Sequence, residues 1–153
     1  MNAPGAQERP AFRSLSSTVI DRLVIVAYGS KPPSDQEWLE YLHLVERQGV
    51  TETRHLVSTE GGEPTAAQRG QLTALLAGRE VPVAVLSDST RVRGSVTLLS
   101  LLNRRIRAFR LSQLRDAIDY LEIPASRAEV IERTLRRLRR EIDGRGHKDA
   151  GAR

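Results

Sequence analysis

The sequence repeats one pattern four times: a short apolar run rich in β-branched residues, then a polar turn, then a stretch with helical periodicity. The apolar runs are Leu23–Tyr28, 55–58, 81–86 and Ile106–Phe109. Strands that alternate with single helices pair in parallel, because each helix carries the chain back across the sheet. We therefore predict an α/β fold with a mostly parallel four- to five-stranded sheet and crossover helices.

Helix starts are indicated by capping boxes, in which two side chains three residues apart each bond a free backbone amide near the other. Such pairs are Ser34 with Glu37, Thr65 with Gln68, and Ser126 with Glu129. Ser112 is placed to cap a helix after the fourth apolar run. Trp38, the only tryptophan, lies on the apolar face of the first helix, where we expect it to anchor the core.

The chain has 153 residues, which fits one ordinary domain. We predict that residues 10–123 form this domain, with an edge strand at 11–18. The ends at 1–9 and 144–153 are polar and are expected to be disordered. Residues 124–143 are predicted to form a C-terminal amphipathic helix that follows this domain.

That C-terminal helix has a narrow apolar stripe formed by Ile131, Leu135, Leu138 and Ile142. The stripe must be buried against its own domain, a second copy of the chain or another protein. It is therefore a candidate partner surface, and a homodimer is one of the alternatives.

Composition excludes several classes of protein. Cysteine is absent, so there is no disulfide, thiolate metal site or cysteine nucleophile. No apolar run approaches the roughly 20 residues of a bilayer span, so membrane insertion is not expected. Residues 1–10 lack the apolar segment of a secretory signal. A cytoplasmic location fits these observations.

The positive charge is unevenly distributed. All but two of the 24 basic residues are arginine, and the formal net charge is +5. Residues 89–115 contain seven arginines and no acid, which predicts an electropositive region. The C-terminal helix is different, because its acids offset most of its arginines and it has no aromatic residues for base stacking. The sequence thus argues against nucleic-acid binding and leaves peripheral lipid contact open.

Three polar turns follow the predicted strands and should meet at one edge of the sheet, where ligands bind in open parallel sheets. The candidate residues are Ser30 and Lys31 in the first turn, Ser58, Thr59, Glu60, Gly61 and Gly62 in the second, and Asp88, Ser89, Arg91 and Arg93 in the third. Hydroxyls, glycines and arginines at a helix start favour an anion. The alternative is that these residues only build turns and helix caps.

The order of elements resembles the STAS fold of anti-sigma-factor antagonists, and the related bacterial domains that share architecture with CRAL-TRIO lipid-binding domains. The resemblance covers residues 11–122. It is carried by the Gly29-Ser30 turn before Pro32-Pro33 and Trp38, by the loop at 58–64 before Gln68-Arg69, and by Ser87-Asp88-Ser89 before Arg93-Gly94.

Signalling STAS domains carry an Asp-Ser-Ser-Gly type loop before the second helix, whose serine is phosphorylated to switch partner binding. The matching loop here offers Ser58 and Thr59 but lacks the aspartate. The motif most similar to it, Asp88-Ser89-Thr90, lies one strand and one helix later in the chain. The resemblance therefore implies a non-enzymatic interaction module, but it does not indicate which residue would be phosphorylated.

No pattern in the sequence indicates catalysis, a metal site or a cofactor. The three histidines have no partner at metal-ligand spacing, and no nucleophile elbow, phosphate loop or dinucleotide motif is present. We expect a regulatory protein-interaction domain of a bacterial signalling or scaffolding system, with a protein partner of unknown identity. The alternative is a domain that binds a small anionic ligand or a lipid headgroup.

Overall fold

A computed structural model describes residues 13–49, 53–99 and 103–142. Its strands are β1 (Leu15–Ile20), β2 (Leu23–Tyr28), β3 (Arg54–Thr59), β4 (Val83–Leu86) and β5 (Ile106–Phe109). Its helices are α1 (Asp35–Arg47), α2 (Ala66–Leu75), α3 (Thr90–Leu99), α4 (Leu114–Tyr120) and α5 (Ala128–Arg140). The ends predicted to be disordered, 1–9 and 144–153, lie outside the described residues.

The strands form one sheet in the order β1-β2-β3-β4-β5, in which only the β1–β2 pair is antiparallel. The predicted α/β class with a mostly parallel sheet is confirmed. The edge strand is also present, but it covers Leu15–Ile20 rather than 11–18, of which 11 and 12 are not described. The shift arises because Ile20 pairs with Leu23 across a two-residue turn, whose residues Asp21 and Arg22 both have positive φ, as hairpins of this length require.

Helices α1, α2 and α3 cover one side of the sheet, called here the first face. Strand order follows chain order, and crossovers between parallel strands nearly always have the same hand, so successive helices fall on the same side. Trp38 and Tyr41 of α1 pack on Val24 and Val26 of β2. Val92 and Val96 of α3 pack on Val85 of β4.

Helices α4 and α5 cover the second face. After β5 the chain turns to this side, where α4 lies over β4 and β5, and α5 lies over β1 and β2. The predicted stripe of Ile131, Leu135, Leu138 and Ile142 is buried here in the chain's own core. Of the three alternatives for the stripe, the structure thus has burial against the chain's own domain, and the stripe is not presented to a partner in this arrangement.

Two of the predicted capping boxes are present, at Ser34 with Glu37 and at Thr65 with Gln68. The third was wrong: Ser126 lies in a 3-10 turn that leads directly into α5, which has no side-chain cap. Ser112 lies in a similar turn before α4 and does not cap it. A cap residue needs an extended backbone, and a 3-10 turn does not provide one.

Candidate functional site

The loops after β2 and β3 are packed against each other. The Gly62 amide donates to the Gly29 carbonyl at 2.8 Å. A Cβ on Gly62 would lie 2.3 Å from the Lys31 carbonyl oxygen, so no other residue fits without moving the loops. Glycine at position 62 was expected to let a ligand come close to the backbone. It is instead needed because the loop after β2 lies against it.

Three of the predicted polar ligands, Thr59, Asp88 and Ser89, form turns, helix caps or links between loops. The Thr59 hydroxyl donates to the Gly62 carbonyl at 2.7 Å and accepts from the Gly61 amide at 3.1 Å. Ser89 caps α3 by accepting from the Val92 amide. Asp88 accepts from the Leu111 amide at 3.1 Å, which ties the loop after β4 to the loop after β5. These side chains serve as caps and turns, as the alternative reading of the sequence proposed.

The remaining candidates divide into exposed and buried groups. Ser30, Lys31, Glu60 and Arg91 are exposed at the edge formed by the strand ends. Arg93 is half-buried, and its Nε has no hydrogen-bond partner among the described residues. Ser58 is separated from Thr59, because successive side chains of a strand point to opposite faces. It lies on the second face, away from the predicted three-loop site.

A cleft of about 480 Å³ opens on the first face between α2 and α3, and is called here the valine cleft. Its size falls within the usual range of small-molecule sites, about 300–1,000 Å³. Its apolar lining comes from Val57, Val83, Val85, Val92, Val96, Ile106, Leu72 and Leu76. Val57, Val83, Val85 and Ile106 belong to the apolar runs that predict strands, and nothing in those runs predicts a cleft.

Aromatic residues of α1 and the neighbouring strands complete the valine cleft. Trp38 lines it and is only 1% exposed, yet its indole Nε1 has no hydrogen-bond partner in the described part of the chain. A buried donor without an acceptor costs about 1–3 kcal/mol. The indole therefore leaves one unsatisfied donor in the wall of an apolar cleft.

Three buried ionisable residues in the lining of the valine cleft, His55, Tyr28 and Tyr41, are neutral at pH 7. Burial lowers the pKa of His55 to about 4, and its ring nitrogens lie 3.0 Å from the Tyr41 hydroxyl and 3.2 Å from Thr53 Oγ1. Burial also raises the pKa of Tyr28 and of Tyr41. Two glutamates and two arginines also line the cleft, so its formal charge is balanced.

A second cleft, of about 530 Å³, lies on the second face between α4 and α5 and is called here the serine cleft. Ser58 and Leu86 contribute from the strands. The helices contribute apolar and charged residues, namely Leu111, Leu114, Arg115, Asp116, Ala128, Glu132, Leu135, Arg136 and Arg139. Ser58 and Leu86 lie near the carboxyl ends of β3 and β4, which is the end of an open parallel sheet at which ligands bind.

Comparison with protein-family models, with curated proteins and with solved structures finds no match. Within the described residues, no group of three or more His, Cys, Asp or Glu side chains is placed to hold a metal ion. None of the helices in that part of the chain has the length and apolarity needed to cross a membrane.

Proposed function

We propose that the protein is a non-enzymatic binding domain whose valine cleft holds a small uncharged molecule. The observation that carries this proposal is the unpaired indole N–H of Trp38 in a cleft whose lining is mostly apolar. Trp38 Nε1 is itself buried, so a ligand with one acceptor oxygen would satisfy this donor once the indole turns towards the cleft, and would at the same time cover the valine side chains. Apolar sites with a few placed polar groups are the common form of small-molecule pockets.

The charge of the cleft favours a neutral ligand over the anion or headgroup expected from the sequence. His55, Tyr28 and Tyr41 carry no charge at pH 7, for the reasons given by their pKa values. An ionised ligand would lose hydration without gaining a fixed counter-charge near Trp38, which is costly in an apolar site. A carbonyl compound with an apolar body of six to ten carbons is the class we expect, and 2-octanone is a suitable probe.

The competing function is a protein-interaction domain in bacterial signalling, which the STAS-like resemblance implies. Its support is the exposed group of Ser30, Lys31, Glu60 and Arg91 at one edge of the sheet. A phosphorylation switch at the loop after β3 has less support. Ser58 is 3% exposed and Thr59 is 6% exposed, so a kinase would not reach either hydroxyl without local unfolding.

Thermal denaturation with 2-octanone tests the proposal. A ligand that binds only the folded state raises the unfolding temperature, and at 100 times its dissociation constant it adds about 2.7 kcal/mol of stability. Phenylalanine introduced at Thr73 or Ser95, which both line the cleft, should abolish the shift. Ala74→Phe is the matched control, because Ala74 is exposed on the same helix as Thr73 and does not line the cleft.

The two candidate functions give different results in this experiment. An interaction domain without a ligand site would show no shift with 2-octanone in any variant. A shift that persists in Thr73→Phe and Ser95→Phe would place the ligand elsewhere and contradict the valine cleft.

A further inference from the structure

The floor of the serine cleft contains a hydroxyl without a partner in the described part of the chain. Ser58 is 3% exposed and projects to the second face beside Leu86. Among the described residues, no hydrogen bond to its side chain is present. Its Oγ is not one of the fully buried unpaired atoms, so the hydroxyl opens into the cleft, where water or a ligand can bond to it.

Guanidinium groups line the walls above Ser58. Arg115 comes from α4, while Arg136 and Arg139 come from α5. The carboxylates in the lining are Asp116 and Glu132. Glu132 is already paired with Arg136 at 3.2 Å, so the cations outnumber the acids by one.

We propose that the serine cleft is a second binding site, and that its ligand is a small molecule with one oxyanion group on a short apolar body. Arg139 and Arg115 supply donors for a carboxylate or phosphate, which guanidinium forks match in geometry. Ser58 adds a hydroxyl donor at the floor, and Leu86 contacts the apolar body. The site is on the opposite face from the valine cleft and does not depend on the function proposed for that cleft.

Isothermal titration calorimetry with phenyl phosphate and with benzoate tests the site and separates the two oxyanions. Benzyl alcohol is the uncharged control and should not bind. The Arg139→Gln variant should bind the preferred anion about tenfold more weakly or worse, since a hydrogen bond between charged groups is lost. Arg137→Gln is the matched control, because Arg137 is exposed on the same helix and is not in the lining; its affinity should change less than about twofold.

The Ser58→Ala variant gives a readout that a merely structural serine would not. Because the hydroxyl has no partner among the described residues, we expect this variant to unfold at the same temperature as the wild type or a higher one, while binding the anion about three- to tenfold more weakly. A lower unfolding temperature would mean that the hydroxyl stabilises the fold, which would contradict the proposal.

Two further results would overturn the site. One is the absence of binding heat at millimolar phenyl phosphate and benzoate. The other is an equal loss of affinity in Arg137→Gln and Arg139→Gln, which would indicate only general attraction of anions to a basic surface. In either case the Trp38 indole, on the other face of the sheet, still reports on the valine cleft independently.

Discussion

At the scale of single residues, Gly62 shows how a sequence signal can be explained by packing. Substitution by alanine would place Cβ 2.3 Å from the Lys31 carbonyl oxygen and 2.7 Å from that of Gly29. The loops must separate to accept it, so we expect Gly62→Ala to lower the free energy of unfolding by about 1–3 kcal/mol. Gly70→Ala, inside α2 with open space around it, should be neutral or stabilising by up to about 1 kcal/mol. Equal effects in urea denaturation would contradict this account.

Glu37 joins the first strand to the first helix. Its carboxylate accepts from the Ser14 and Leu15 amides and from the Ser34 hydroxyl. Burial acts to raise its pKa, but these bonds and that of the Ser14 hydroxyl outweigh burial and lower the pKa. The variant Glu37→Gln should therefore unfold at lower denaturant, at a cost of about 1–3 kcal/mol.

The control for Glu37→Gln is Glu40→Gln, on the same helix. Glu40 is half exposed, and among the described residues it pairs only with Arg13 at the surface, so its loss should cost less than about 1 kcal/mol. A cost for Glu40→Gln as large as that for Glu37→Gln would show that the carboxylate of Glu37 has no special role.

His55 predicts how stability depends on pH. Its pKa of about 4 in the folded protein is below the ordinary value near 6.5. Below pH 6.5 the unfolded chain binds a proton that the folded chain does not, so stability that is complete above pH 6.5 is lost as pH falls towards 4. The full loss is about 3 kcal/mol.

Urea denaturation between pH 7.5 and 5.0 measures this dependence. The wild type should lose stability over this interval, and His55→Gln should lose much less, although it is less stable at pH 7.5. His43→Gln, at an exposed position on α1, should follow the wild type. A pH dependence unchanged by His55→Gln would mean that another group is responsible.

At the scale of elements, α5 completes the core instead of forming a free partner surface. Leu138 is 1% exposed, and Leu138→Ala should lower the free energy of unfolding by about 2–5 kcal/mol. The same substitution at Leu39, which is 48% exposed on α1, should cost less than about 1 kcal/mol. If Leu138→Ala left monomer stability unchanged but dissociated a dimer, the stripe would instead bind a second copy.

The sequence predicted the elements best where its signals are local. The run of Leu23–Tyr28 and the capping boxes at Ser34 and Thr65 depend on neighbouring residues, and the structure confirms them. The capping box at Ser126 and the cap at Ser112 were also predicted from neighbouring residues, and both were wrong. In both places the chain enters the helix through a 3-10 turn. One side chain does not determine whether a helix begins with such a turn.

At the scale of the whole molecule, neither cleft could be predicted from the sequence. Periodicity indicates which side chains face the sheet, but it does not reveal whether neighbouring helices close over them. The valines of α3 and β4 have the pattern of a filled core, yet α2 and α3 leave a space above them. For the serine cleft, the alternation along β3 places Ser58 opposite Thr59, but the gap between α4 and α5 depends on how each helix packs on its own pair of strands.

The central claim of this account is that the valine cleft binds a neutral ligand through Trp38. Because the chain has a single tryptophan, one indole N–H resonance in a ¹H–¹⁵N spectrum reports on this donor alone. We predict that 2-octanone shifts this resonance in a saturable way, and that octanoate binds at least about tenfold more weakly at pH 7, because its charge must be desolvated. An indole resonance that stays in place at saturating 2-octanone, or that shifts equally in Thr73→Phe, would contradict the claim.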